Sequence, residues 1–202
     1  MNLKKSYIAA CCLVIFGINY FSSCKKDTEE TTPEATVPVV TPTDTCGTPV
    51  MSYLAAGHIL TYDFSYFASS FILTHTIKNF GSNQFKTVLS SSVINDSVYS
   101  KECGGWLYQS PSQSLTSNHK YRKSSTVVGT TWTSINGSIT ANYVVIAKNV
   151  SVTVPAGTFT CDKITYHQTG TSNTDTLFFN NSVGDVKYIG TGFNYALKTK
   201  NF

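Results

Sequence analysis

His58-Ile59-Leu60-Thr61-Tyr62-Asp63-Phe64-Ser65-Tyr66-Phe67 alternates apolar and polar residues almost without a break. In an extended chain successive side chains point to opposite faces. Leu60, Tyr62, Phe64 and Tyr66 therefore share one face, while Thr61, Asp63 and Ser65 take the other. That segregation is the mark of a half-buried antiparallel strand. The same period continues beyond it. Phe71, Leu73 and Ile77 oppose Thr74, Thr76 and Lys78, and Phe85, Thr87, Leu89 and Val93 alternate with polar neighbours. Further runs cover Asp96–Cys103, Trp106–Gln109, Ile139–Val154, Phe159–Gln168, Thr174–Asn180, Val183–Gly190 and Phe193–Thr199.

Turn formers punctuate these runs: Gly81-Ser82-Asn83, Gly104-Gly105, Asn136-Gly137, Pro155-Ala156-Gly157, Gly170–Asn173, Asn181–Gly184 and Gly190–Gly192. Asn-Gly suits the positive φ of a tight hairpin. In Val152-Thr153-Val154-Pro155-Ala156-Gly157-Thr158-Phe159, Pro155 presets φ and Gly157 permits an unusual one, so two strands can reverse direction there. No stretch shows a capped 3.6 period, although Val50 to Gly57 has room for one short helix. The expected fold is all-β: one antiparallel meander of about eight to ten strands, curled into a half-barrel or barrel, since a sheet so wide rarely stays flat. No internal repeat is evident.

Composition agrees with an extracytoplasmic β protein. The chain has 202 residues, 13% of them charged and 13% aromatic, with a net charge of +4. It is too apolar for a disordered protein, and its charge excess is too small for a nucleic-acid binder. Residues 50–202 are long enough to bury one sizeable core.

Residues 1–23 have the layout of a secretory signal. Lys4 and Lys5 precede an apolar run from Tyr7 to Phe21, and Ser22-Ser23-Cys24 closes it. The run is shorter than the roughly 20 residues of a spanning helix. Cys11 and Cys12 leave no room for an apolar stretch before them. Residues 24–49 read as a tether, with eight Thr and four of the chain's six Pro and little apolar surface to offset ordering entropy.

The expected chemistry is sparse. With Cys11 and Cys12 in the signal and Cys24 at its end, three cysteines remain, Cys46, Cys103 and Cys161. Cys161 follows Phe159 on an inward face and reads as a small buried hydrophobe. Cys46 enters the domain and Cys103 ends a strand, which makes them the favoured disulfide pair. His58, His75, His119 and His167 lie far apart, so no metal site is expected. His75 falls on an apolar face, where a hydrogen-bonded core histidine is the ordinary reading. Lys120, Arg122 and Lys123 around Tyr121 read as a solvated turn. The acids Asp63, Asp96, Glu102, Asp162, Asp175 and Asp185 form no pair close in sequence. No nucleophile elbow, phosphate loop or dinucleotide fingerprint occurs. No catalytic residue and no cofactor are expected.

Four resemblances extend this reading. Ser22-Ser23-Cys24-Lys25-Lys26-Asp27 resembles the end of a bacterial lipoprotein signal of the Bacteroidetes type, which implies a diacylglyceryl group on Cys24 and an anchor in the outer membrane. The run Lys25-Lys26-Asp27-Thr28-Glu29-Glu30 resembles a surface-export signal; an ordinary solvated linker fits equally. Val152 to Cys161, with Lys163-Ile164 and Tyr166, resembles the hairpin of a Bacteroidetes-type lipoprotein domain of unknown function. Gly129-Thr130-Thr131-Trp132 and Val183-Gly184-Asp185-Val186-Lys187 match flanking features of that family. The resemblance implies a curved half-barrel similar to lipoprotein-carrier folds. Asp96-Ser97-Val98 and Asp175-Thr176-Leu177 resemble O-glycan acceptor patterns, which would place glycans on Ser97 and Thr176. The functional expectation is a non-catalytic envelope lipoprotein, membrane-anchored, whose partner is an apolar ligand or lipid. The alternative is an adhesive surface module for glycan or protein, and a hydrolase is the least expected. The abundant aromatics decide between the first two: they line a cavity or stand on an exposed edge.

Overall fold

The structure is a computed structural model and describes residues 46–47, 49–116 and 119–202. The signal, the tether up to residue 45 and the Cys24 lipid site lie outside the described residues. Twelve strands follow one another: β1 (Ile59–Tyr66), β2 (Ser69–Gly81), β3 (Gln84–Ser90), β4 (Asn95–Cys103), β5 (Trp106–Ser110), β6 (Lys120–Lys123), β7 (Thr131–Asn136), β8 (Ile139–Val154), β9 (Gly157–Gln168), β10 (Thr174–Asn180), β11 (Gly184–Ile189) and β12 (Phe193–Lys200). All belong to one antiparallel sheet in the order β6-β5-β4-β3-β2-β1-β12-β11-β10-β9-β8-β7. The first and last strands pair in the middle of the sheet, and β6 and β7 form its two edges. The sheet curls until these edges approach each other without pairing, giving a nearly closed barrel.

The opening stretch behaves as its alternation requires. Leu60, Tyr62 and Phe64 are buried, and the Phe64 ring stacks on Phe71 and Phe193 at centroid distances of 4.8 and 5.8 Å. Full burial of such side chains stabilises by about 1.5–3 kcal/mol each. On the outer face, Thr61 meets Thr199, Thr153 meets Thr158, and Lys198 bonds Asp63 at 3.0 Å. Around β1 the sheet is therefore mainly apolar on its inner face and mainly polar on its outer one.

The Pro155-Ala156 turn joins β8 to β9 with Val154 opposite Gly157, whose φ is +127°. Val152 and Val154 are buried, and Ala156 N donates to Leu197 O at 3.2 Å, so the hairpin tip folds over β12. The Asn136-Gly137 turn uses a positive φ of 59° at Gly137.

Two expectations change. The strand count is twelve because β6 and β7 escape the two-residue period: β6 has four residues, and in β7 the apolar Trp132 and Ile135 are three apart. The segment from Val50 to Gly57 forms no helix. Leu54 N donates to Met51 O and His58 N to Ala55 O, which are two separate turns. The N–H groups of Val50 and Met51 go instead to the Glu102 carboxylate at 2.7 and 3.0 Å. That clasp drives Met51, Tyr53 and Leu54 into one end of the barrel as a plug. A Cys46–Cys103 disulfide, with Cα atoms 4.2 Å apart, fastens the same end.

Candidate functional site

Two register shifts build the interior. On β6, Leu107 pairs with Arg122 and Tyr108 with Lys120, leaving Tyr121 as an extra residue. Such a bulge turns consecutive side chains to one side. Tyr121 and Arg122 accordingly both point inward. On β11, Phe178 pairs with Lys187 and Phe179 with Asp185, leaving Val186 extra. Asp185 and Val186 then also share the inner side. Strict alternation would have sent Tyr121 and Asp185 out.

These re-aimed groups meet. Tyr121 and Tyr195 hydroxyls donate to Asp185 Oδ2 at 2.6 and 3.0 Å. Arg122 Nε lies 3.9 Å from Asp185 Oδ1, an ion pair with no hydrogen bond between those two atoms. The guanidinium lies over the Tyr121 ring at 3.8 Å and near Tyr143 at 5.4 Å, and Nη1 donates to Tyr121 O at 2.7 Å. Burial opposes the Arg122 charge, but the fields of Tyr121 and Asp185 outweigh it and hold the cation. Burial, then the Asp185 charge, raises the Tyr195 hydroxyl, so it stays a neutral donor.

A second network lies beside the first. Tyr188 donates to Asp175 Oδ2, Thr191 N bonds Asp175 Oδ1 at 3.2 Å, and Tyr166 and Tyr188 hydroxyls are 2.9 Å apart. Rings run continuously through this side: Trp132 on Tyr143 at 5.1 Å, Tyr143 on Tyr166 at 5.2 Å, Tyr188 on Tyr195 at 5.2 Å.

Two cavities of the interior stand side by side. One is of mixed polarity, walled by Arg122, Ser134, Asn136, Tyr143, Tyr166 and Gln168 among others. It lies behind the gap between β6 and β7, since it is lined by both of those edges. The other is apolar, walled by Leu54, Leu60, Leu73, Ile77, Leu89 and Val98, with His75 and Asp185. Gln109, Tyr121 and Tyr195 line both. Each leaves about 50 Å³ open to the centres of water molecules. Since one such molecule needs roughly 10–15 Å³ on this measure, each cavity takes a few waters or one compact group.

The interior also contains buried polar atoms without hydrogen-bond partners: His75 Nε2, Gln109 Oε1, Arg122 Nε and Asp185 Oδ1. Leaving such an atom unsatisfied costs about 1–3 kcal/mol. His75 thus departs from the hydrogen-bonded core histidine expected of it. Burial lowers its pKa from 6.5 to about 4, so the ring is neutral at physiological pH.

The sequence-derived candidates fall as follows. Cys161 is buried and unpaired, and burial pushes its thiol up to about 12. Ser97 and Thr176 stand on the outer face of β4 and β10, Ser97 beside buried Val98 and Thr176 between buried Asp175 and Leu177, and neither lines the two cavities. Glu102 and Asp175, read only as scattered acids, are both buried in hydrogen-bond networks. The solvated turn expected at 120–123 is instead strand β6. Its Lys120 and Lys123 sit over the Trp106 ring at 5.0 and 5.3 Å, while Arg122 is buried in the interior. Nothing in one-dimensional alternation marks Arg122 and Asp185; the only sign is a pair of inward-competent neighbours on each strand, Tyr121-Arg122 and Asp185-Val186. Among the described residues no group of three His, Cys, Asp or Glu could hold a metal ion.

No family model matches the chain. No curated protein matches it either. Among solved structures it is similar to a crystal structure of a protein from Parabacteroides distasonis named as a "putative lipoprotein", with 12% identity and a TM-score of 0.47, over 76% of this chain and 99% of that one.

Proposed function

We propose that the chain is a cell-envelope lipoprotein, anchored through Cys24 to the outer membrane, whose barrel interior binds a small amphipathic ligand. The observation that carries the reading is the pair of adjoining cavities, one of mixed polarity and one apolar, with unpartnered polar atoms at their junction. A satisfied core does not need such atoms, whereas a binding site pre-forms them. The cavity size narrows the expectation of a lipid: two acyl chains do not fit, and a compact molecule does. Among the described residues eight aromatics are buried, including Tyr53, Tyr62, Phe64, Trp132 and Tyr143, which favours an internal ligand over an adhesive edge.

Binding, rather than catalysis, suits the ionisable groups. Asp175, Asp185 and Glu102 are each engaged by tyrosine hydroxyls or backbone N–H groups. The Cys161 thiol is too basic to act as a nucleophile at neutral pH.

The test is native mass spectrometry of the mature chain purified from its own membranes, beside membrane fractionation of Cys24→Ala. A bound molecule of a few hundred daltons or less, and loss of membrane retention in the variant, are expected. An empty barrel that binds surface glycans instead would give the adhesive reading, and unchanged retention would remove the lipid anchor.

A further inference from the structure

We infer that the junction of the two cavities is a hydroxyl-recognition site, and that the ligand is a neutral alcohol or phenol with a compact apolar body. The inference rests on the interior being a binding site and names what that site selects.

The argument begins with what the orphaned atoms demand. Arg122 Nε–H is a donor without an acceptor, and Asp185 Oδ1 is an acceptor without a donor. They stand 3.9 Å apart, too far to bond each other. Neither has appreciable surface open to a water-sized group, so an oxygen that reaches both at the ordinary hydrogen-bond distances of about 2.8–2.9 Å must part the side chains around them. The bridging group must accept from the guanidinium and donate to the carboxylate at once. A hydroxyl does both. A carboxylate cannot donate and would face the Asp185 charge, and an ammonium cannot accept and would face Arg122. An ether accepts but does not donate. Gln109 Oε1, which lines both cavities and also lacks a donor, offers a second hydroxyl acceptor.

The surroundings set the rest of the molecule. Arg122 faces the cavity of mixed polarity and Asp185 the apolar one, so the gap lies on the partition between them. An apolar body attached to the hydroxyl has one dry place to go, between Leu54, Leu73, Ile77 and Leu89. The Tyr121 and Tyr195 rings flank that passage and offer aromatic faces. Because Arg122 and Asp185 already balance each other, a neutral ligand leaves no buried charge uncompensated.

Phenol, anisole, toluene and benzoate separate the requirements. Each is titrated into the purified, nitrogen-15-labelled mature chain, and the Arg122 Nε–H resonance is followed. Phenol is expected to bind saturably and at least about tenfold more tightly than anisole or toluene, the worth of a hydrogen bond to a charged group. Benzoate is expected not to bind. Asp185→Asn, which keeps the shape and removes the charge, is expected to shrink the phenol-to-anisole ratio severalfold. Equal affinity for phenol, anisole and toluene overturns hydroxyl selection while leaving an interior binding site in place. If a bridging water holds the gap and no probe displaces it, the Arg122 signal does not move, and the inference is overturned. A co-purified molecule without a hydroxyl, found by mass spectrometry, removes this inference and spares the broader reading.

Discussion

The plugged end of the barrel and the junction at its centre are both built from buried polar groups, yet they are finished differently. At the plug, the Glu102 carboxylate takes two backbone N–H groups, and the Cys46–Cys103 bond closes the same end. At the junction, Arg122, Asp185 and Gln109 each keep an atom unsatisfied. A chain able to satisfy one buried carboxylate so fully has left another, Asp185, incomplete. Completion serves stability at the plug, and incompleteness keeps the junction ready for a partner that brings its own hydrogen bonds.

The contrast can be broken first at the disulfide. Replacing Cys46 and Cys103 with Ser opens a closed loop spanning 57 residues and should lower stability by about 4 kcal/mol in the chain-entropy account. Urea midpoints of variant and parent measure it, and reductant should bring the parent to the variant's value. The junction comes next. Arg122→Met leaves Asp185 buried without its cation and should cost about 3 kcal/mol, the lower end for a broken buried pair, because two tyrosines still donate to the carboxylate. Adding Asp185→Leu should recover only part of that loss, because it leaves the Tyr121 and Tyr195 hydroxyls without their acceptor. Full recovery in the double variant would mean that the ion pair stands apart from the tyrosines.

Gly184→Ala tests the plug's fit at a smaller scale. Gly184 has a φ of +89°, and an added Cβ would come within 3.0 Å of the Tyr53 ring. Backbone strain and overpacking together should cost about 1–3 kcal/mol, read as a lower melting temperature. The last effect is a slope in pH. Burial holds His75 neutral down to about 4, whereas the unfolded ring takes up a proton near 6.5. The unfolded state thus binds more protons between those values, so stability should fall as pH drops from about 6.5 to about 4 and the His75 contribution should then level off. His75→Phe should flatten that part of the profile, and an unchanged slope would assign it to another group.

The sheet was legible because an inward and an outward face divide the residues wherever strands run regularly. Leu60, Tyr62 and Phe64, or Leu177 and Phe179, show their burial in their spacing alone. Strand β7 was not, since Trp132 is buried and Ile135 is 41% exposed, so its apolar residues belong to different faces. The junction was hidden for a related reason. A bulge adds one residue and reverses the phase on one side of it, and phase is all that a periodic pattern reports. Tyr121 and Asp185 therefore look outward in sequence and point inward in space. The plug was missed because the partner of Val50 and Met51 is Glu102, about fifty residues away and invisible to local propensity.

The side-by-side pairing of β1 and β12 has a topological consequence. Read around the barrel from β7, the strands run through β12 to β1 and on to β6 without one crossing, so the spatial order is a circle cut between β6 and β7. Near the sheet's centre, Asn201 N donates to Ile59 O and Ile59 N to the Asn201 side chain, which brings the start of the first strand beside the end of the last. A circular permutant that begins within residues 124–130 and links these neighbouring ends would trace every strand in spatial sequence. It would keep every rung of the ladder, and it would turn the two facing edges into free chain ends.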